Sequence, residues 1–334
     1  MQKIGILIPY SGGLSIKKAL LNNTTPFLID KNIEIISVFI GKGDSKQVEK
    51  EIDDLCYNQD VDVVIGYVNY RVMVELFDKI SKYQRQIFVN LSLGEIIPYS
   101  SSQLTPPPNF HFVSYDMYKQ IAVLGDWIAN QLPAKNCLIC TSLYESGYSF
   151  LEAFRIGYHQ SKQKELTYSI LKNPPTELNI QPLIDDVLLL QPEHIHITLS
   201  GKELHLFVKN LIEQIHYSPT LSLHFPNNDL LFTLSNGKSL NCFSIIPTLI
   251  FEHFSFRSSY IHIFDCIFKH LFYEAFSQLR QDQIDLNNHF IVLNHTTTTV
   301  VEHIANNSVE EYEQSFRQSA IEMISYWQNP YLCV

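Results

Sequence analysis

The first half of the chain alternates short apolar segments with amphipathic ones, and this alternation constrains the fold more than any other feature. Apolar runs of strand length begin at Lys3, Ile33, Val61 and Gln86. The segments 45–58 and 71–83 between them have helical periodicity, as does 15–29. Parallel strands buried on both faces are read as continuous apolar runs and are joined by helices. The pattern therefore predicts βαβ units and a parallel sheet.

The same alternation restarts after a break. Residues 99–109 contain three serines and three consecutive prolines and predict a loop, followed by a short strand at 110–113. A second doubly wound domain is then predicted over about 118–245. Its helices are predicted at 118–131, 149–161, 180–190 and 203–215, and its strands at 136–140, 165–170, 194–199 and 220–223.

The remaining tail is too short for a third domain. It predicts an aromatic-rich helix at 260–279, a strand at 290–293 and an acidic helix at 309–326. These elements should complete the first two domains, and the length of 334 residues suits two domains of about 150 residues each. The aromatic side chains of 243–276 are best explained as core packing.

Composition and charge exclude several classes of protein. Hydrophobic residues make up 46% of the chain and the net charge is −10, which favours a globular protein without nucleic-acid partners. The apolar start, Ile4–Ile8, is far shorter than a membrane span and lacks the layout of a signal peptide. We therefore expect no membrane insertion, and a cytoplasmic location for the chain as written, or a periplasmic one if a leader was removed.

Two pairs of residues could bind metal but favour a structural role. Cys137 and Cys140 form a C-x-x-C motif, but within a predicted strand, where residues three apart face opposite sides. His194 and His196 share one face of a strand, with no third ligand evident from the spacing. Dinucleotide, P-loop and nucleophile-elbow motifs are absent from the sequence, so we predict no cofactor, no metal and no enzymatic activity.

Loops that follow the strands are the best candidates for function, because ligands of open parallel sheets bind beyond the carboxyl ends of the strands. Four such loops carry hydroxyl groups, amides and aromatic rings, a combination suited to a small-molecule cleft, although Ser and Asn are also common helix caps. The predicted ligand contacts are Tyr10, Ser11, Tyr67, Asn69, Tyr70, Ser92, Leu93, Gly94, Tyr115, Tyr144, Glu145, Ser146, Tyr148 and Ser200.

The ordered set of segments resembles a family, the type I periplasmic solute-binding proteins that bind branched-chain amino acids, amides or urea. The similarity covers most of residues 1–215. It lies in Ile4–Gly12, Val61–Gly66, Gln86–Ser92, Phe110–Ser114 and Lys135–Phe154. No single motif is specific to the family, and the order of the segments carries the resemblance.

The resemblance implies two Rossmann-like lobes joined by three crossovers, with a ligand between them. Lobe one would comprise 1–117 plus 247–325, and lobe two 118–246 plus 326–334. Ligand contacts carried over from the family fall at Asn69, Tyr70, Ser92 and Gly94 in lobe one, and near Ser146 and Ser200 in lobe two.

Two departures from the family pattern concern specificity. The family's Tyr-Gly-x-Gly appears as residues 146–149, SGYS, so that its aromatic contact is missing or comes from Tyr144 or Tyr148. The acidic residue expected after Leu223 to pair with an α-ammonium is replaced by the run 224–227, HFPN, with only Asp229 close by.

The expected function is non-catalytic binding of a small polar molecule, such as an amino acid or amide, with hinge closure, as the binding component of an ABC-type transporter. Its partners would then be the membrane subunits of that transporter. One alternative is a cytoplasmic sensor of the same fold that regulates a partner protein. A second is an enzyme on a double α/β scaffold.

Overall fold

The computed structural model divides the described residues into two compact units, with the first division after Asp116. Unit 1 contains the described residues up to 116 and those of 265–275, and unit 2 contains those of 117–251 and 290–304. The described residues are 2–9, 33–94, 106–132, 136–142, 149–159, 165–171, 179–199, 201–224, 240–251, 265–272, 274–275, 290–295 and 299–304.

Unit 1 is built on a five-stranded, fully parallel sheet in the order β2-β1-β3-β4-β5. Its central strands are buried on both faces, as their apolar sequences require. The strand order reverses between β1 and β3, which is where open sheets of this kind leave a crevice for ligands. The strands are β1 Gln2–Ile8, β2 Ile33–Phe39, β3 Val63–Gly66, β4 Ile87–Ser92 and β5 Phe110–Ser114.

Two predicted helices of unit 1 span the expected residues but are less regular than the apolar pattern predicts. Helix α1, Ser45–Asp53, begins at the side-chain cap of Asp44 and continues into a π-helical turn, Asp54–Asn58. The predicted helix 71–83 is two helices, α2 Tyr70–Glu75 and α3 Phe77–Ile80, separated at Leu76. Residues 265–272 are helical.

Unit 2 contains a seven-stranded sheet in the order β12-β11-β10-β9-β8-β6-β7. Pairing is parallel from β7 to β10, while β11 and β12 add an antiparallel hairpin. The reversal of strand order lies between β6 and β8. The strands are β6 Asn136–Ser142, β7 Glu165–Leu171, β8 His194–Ile197, β9 Thr220–Leu223, β10 Cys242–Pro247, β11 Phe290–Asn294 and β12 Thr299–Ile304.

Helices cover the sheet of unit 2. One face forms an apolar core with α6, Gln181–Leu190, and α7, Gly201–Gln214. Helices α4, Met117–Gln131, and α5, Ser149–Tyr158, pack closely against each other, and rings of both meet the sheet. A short helix α8, Thr248–Phe251, follows β10. None of the helices among the described residues has the length and hydropathy of a membrane span.

The predicted α/β fold with two parallel-dominated sheets is confirmed, but part of the tail differs from the prediction. Strand β10 was not predicted, and β11 and β12 pair in the sheet of unit 2, whereas the sequence analysis placed 247–325 in lobe one. The indole Nε1 of Trp127 donates to Glu302 Oε2 at 2.7 Å and fastens this hairpin to α4. The predicted helices 15–29 and 309–326 lie outside the described residues.

Candidate functional site

The buried side chain of Asn90 fixes the loop that follows β3. Asn90 lies opposite Gly66 in the pairing of β3 with β4. Its Oδ1 accepts from the N–H of Val68 at 3.1 Å, and its Nδ2 donates to the carbonyl of Val68 at 2.8 Å. A side-chain amide that hydrogen-bonds to both the N–H and the carbonyl of one residue provides the bonds that a neighbouring strand would otherwise provide. The loop 67–69 is therefore held rigidly at the carboxyl edge of the sheet, where ligands are expected.

Two serine side chains shape the ends of the neighbouring strands in the same way. Ser92 Oγ, at the end of β4, accepts from the N–H of Gly94 at 2.9 Å, and Ser114 Oγ, at the end of β5, accepts from Asp116 at 3.0 Å. Gly94 has φ +102° and Asp116 has φ +54°, backbone conformations that turn the chain sharply. The two strand ends are tied together where the N–H of Tyr115 donates to the carbonyl of Ser92 at 3.0 Å.

Three tyrosines lie at this edge, Tyr67, Tyr70 and Tyr115, and all three are buried. The ring of Tyr67 meets Phe268 edge to face, with centroids 4.9 Å apart. Tyr70 packs against Phe112 at 5.1 Å, so its ring belongs to the core beneath the loops. Asn69 caps α2, because its Oδ1 accepts from the N–H of Arg71 at 2.9 Å. These contacts explain the helix-cap and packing roles of the residues, and ligand contact by them stays a prediction.

A carboxyl group of unusual protonation lies close to the same edge. Burial, with a smaller contribution from the Asp116 carboxylate, raises the pKa of Glu274 to about 7. Among the residues that the structure describes, its buried Oε2 has no hydrogen-bond partner. A carboxyl with such a pKa is present in both protonation states near neutral pH and can act as a donor or an acceptor.

The carboxyl edge of the sheet in unit 2 is described only in part. Ser142 ends β6 and hydrogen-bonds to Glu203 in the first turn of α7, while burial raises the pKa of that carboxyl. His224 follows β9, and its Nδ1 donates to the carbonyl of Ile197 at 3.2 Å. Burial lowers the pKa of His224 to about 4, so the ring is neutral and Nε2 is an acceptor at neutral pH. The ring of Phe150 lies 5.8 Å from it.

The structure brings together the predicted contacts of unit 1 that it describes. They lie on loops, at strand ends or at the start of α2, all at one edge of one sheet, and are Tyr67, Asn69, Tyr70, Ser92, Leu93, Gly94 and Tyr115. The other predicted contacts lie outside the described residues, so their placement stays a prediction. They are Tyr10, Ser11, Tyr144, Glu145, Ser146, Tyr148 and Ser200.

Sequence reasoning did not assign a role to Asn90 or Glu274. An amide in the middle of the apolar segment IFVNLS is a visible signal, because a buried polar side chain requires partners. Its partner could not be named without the β3–β4 register. Nothing in the local sequence around Glu274 indicates that its carboxyl approaches Asp116, 158 positions away by number.

The two residue pairs considered as metal ligands are both packed inside unit 2. Cys137 and Cys140 are buried within β6. His194 and His196 are buried and hydrogen-bonded to hydroxyl groups of β9. Within the described ranges there is no group of three His, Cys, Asp or Glu residues placed to hold a metal ion.

We expect chelation to leave the thermal stability unchanged. Treatment with EDTA, followed by a thermal melt and elemental analysis of the untreated protein, checks this. A stoichiometric zinc together with a melting temperature lowered by EDTA would contradict it.

The structure resembles solved structures of bacterial solute-binding proteins. A solute-binding protein of an ABC transporter from Rhodopseudomonas palustris, in complex with 3,4-dihydroxybenzoic acid, is 14% identical with a TM-score of 0.62, covering 88% of this chain and 92% of that one. The leucine-binding protein LivK of Thermotoga maritima is 10% identical with a TM-score of 0.61, covering 92% and 100%. LivJ of Streptococcus pneumoniae, in complex with isoleucine, is 12% identical with a TM-score of 0.59, covering 91% and 99%.

No protein-family model matches the chain, and no curated protein matches it in sequence. The similarity is therefore one of fold. The chain has the fold of the type I periplasmic solute-binding proteins, as the resemblance in its sequence implied. At this level of identity the specificity of those proteins does not transfer to the present chain.

Proposed function

We propose that this chain is a non-catalytic binding protein that takes up a small polar molecule, such as an amino acid or amide, at the carboxyl edges of its two sheets. The fold is one used by solute-binding proteins of ABC transporters. The observation that carries the proposal is the set of rigid loops in unit 1. Asn90, Ser92 and Ser114 each use a side chain to hold backbone at the edge where ligands of such sheets bind.

Rigid loops of this kind suit binding, because little conformational entropy is lost when a ligand is held by groups that are already in place. Hinge closure requires only that the closed state bind the ligand better than the open state. In this role the chain would deliver its ligand to the membrane subunits of a transporter. The chemistry of the described edge, with hydroxyl groups, tyrosine rings and a carboxyl of raised pKa, favours a polar ligand.

We expect a correct ligand to raise the melting temperature and to reduce the radius of gyration. Mass spectrometry of small molecules released from gently purified protein names candidates. Leucine, isoleucine and 3,4-dihydroxybenzoate are tested as further candidate ligands. At a ligand concentration one hundred times Kd, linkage adds about 2.7 kcal/mol to the free energy of unfolding.

The chemical state of the bound compound separates binding from catalysis. A binding protein returns the compound unchanged after prolonged incubation, whereas an enzyme converts it. If no compound is released and none raises the melting temperature, the proposed function is wrong while the fold stands.

A further inference from the structure

A strip of polar side chains crosses one buried face of the sheet in unit 2. The register of β8 with β9 places His194 beside Thr220 and His196 beside Ser222. Alternate residues of a strand share a face, so these four side chains and His224 form one continuous histidine strip. His194, His196 and Ser222 are completely buried. Phe154 of α5 covers the strip, with its ring stacked on His196 at 3.8 Å between centroids.

The hydrogen bonds of the histidine strip run in one direction. Thr220 donates its hydroxyl hydrogen to the carbonyl of Glu193, so its oxygen accepts from His194 Nδ1 at 2.7 Å. Nε2 of His194 is then unprotonated and accepts from the hydroxyl of Ser222 at 2.9 Å. The oxygen of Ser222 in turn accepts from His196 Nδ1 at 2.8 Å. Both histidines are therefore assigned as neutral Nδ1–H tautomers.

The strip ends at a nitrogen that cannot be protonated without cost. With its hydrogen on Nδ1, His196 exposes a lone pair at Nε2. That atom is buried and has no hydrogen-bond partner in the part of the chain that the structure describes. A second proton would place both a charge and an N–H group in the core without an acceptor. The folded unit therefore accommodates the neutral form of His196 and is destabilised by its protonated form.

The groups around His196 do not compensate for such a charge. Burial is the main reason why the pKa of His196 lies well below its usual range, and the neighbouring His194 and His224 lower it further. Tyr158 lies on the same helix as the covering Phe154, and burial holds its phenol in the neutral form. Among the described residues, Cys137 and Glu193 are two further titratable groups of this region, and their charges would act on Tyr158.

We propose that the histidine strip is an acid-sensing element of unit 2, which keeps the unit folded while His196 is neutral and loosens it when His196 takes up a proton. An unfolded histidine binds a proton below about pH 6.5. The stability that depends on a neutral His196 is therefore complete above that pH. It falls progressively as the pH decreases towards the lowered value of the folded state.

The dependence of unfolding on pH tests this proposal. Each extra proton taken up on unfolding changes the unfolding equilibrium constant tenfold per pH unit. His196→Phe keeps an aromatic ring beneath Phe154. We expect the unfolding equilibrium constant of this variant to change about tenfold less than that of the wild type between pH 6.5 and 5. Denaturant unfolding, followed by tryptophan fluorescence to which Trp127 of unit 2 contributes, measures it. His205→Gln is the control, because it replaces an exposed histidine of α7 and should leave the dependence of the wild type.

A measurement on the wild type decides the question if His196→Phe does not fold. In ¹⁵N-edited NMR spectra, His196 should remain the Nδ1–H tautomer on acidification until the native signals of unit 2 disappear together. The proposal is overturned if His196 gains its Nε2 proton while unit 2 keeps its native spectrum. It is equally overturned if a folded His196→Phe shows the same pH dependence as the wild type.

Discussion

Replacing Gly157 with alanine is expected to lower the free energy of unfolding of unit 2 by about 3 kcal/mol or more, through overpacking. A Cβ at this position would lie 1.8 Å from the carbonyl oxygen of Ala122 and 2.7 Å from its carbonyl carbon. Both atoms belong to the backbone of α4, so they cannot give way as a side chain would. Helices α4 and α5 would have to separate, and Phe154, on the same helix, would shift from His196.

Two further variants give the expected order of effects. Gly125→Ala, on the facing helix, places a Cβ 2.6 Å from the carbonyl oxygen of Phe154 and should cost less than Gly157→Ala. Glu152→Ala removes a partly exposed ion pair with Arg155 and should change the stability by only about 0.5 kcal/mol. Thermal or urea unfolding monitored in unit 2 measures all three.

The sign of the change makes this a sharp test. Alanine is intrinsically favoured over glycine within a helix by about 1 kcal/mol. If the helices did not approach as closely as the structure shows, Gly157→Ala would therefore stabilise unit 2. A variant as stable as the wild type, or more stable, contradicts the close contact of α4 with α5.

Most strands of both sheets could be predicted where burial dictates the sequence, although the buried strand β10 was missed. Segments such as β1 and β6 are buried almost along their whole length, so the requirement for apolar side chains is continuous and visible. Strand β12 gives the opposite case. Most of its residues, including Val300 and Val301, are exposed, so burial imposes no pattern on the sequence. Its place in the sheet depends on pairing with β11.

Periodicity located the helices but not their interruptions. Val72, Met73, Phe77 and Ile80 are all buried, so the apolar stripe continues without a change across the break at Leu76. The same limit applies to the site. The polar loops at the strand ends are visible in the sequence, whereas the bonds that fix them depend on which strands are neighbours. The side chain of Asn90 reaches Val68 only because β4 pairs with β3.

Replacing Asn90 with alanine is expected to lower the free energy of unfolding of unit 1 by about 2–4 kcal/mol, since two buried backbone groups lose their partner. Val68 is buried, so bulk water does not reach its N–H and carbonyl in the folded protein. The loop 67–69 should loosen at the same time. Hydrogen exchange of the amides of Tyr67–Tyr70 is expected to accelerate well beyond the exchange of β3 itself.

Asn109 offers a matched control in the same unit. Its Nδ2 donates to the carbonyls of Ile80, Tyr83 and Gln86 at 3.2, 2.9 and 3.1 Å. These contacts lie at the amino ends of β4 and β5, on the side of the sheet away from the proposed site. Asn109→Ala should therefore destabilise unit 1 without accelerating exchange at 67–70, and should leave ligand affinity unchanged.

Asn90→Ala should weaken the binding of the compound that copurifies with the wild type at least tenfold. If both variants bind that compound equally well, the loop held by Asn90 does not form the ligand site. Binding must then lie elsewhere, although the effect of Asn90 on stability would remain.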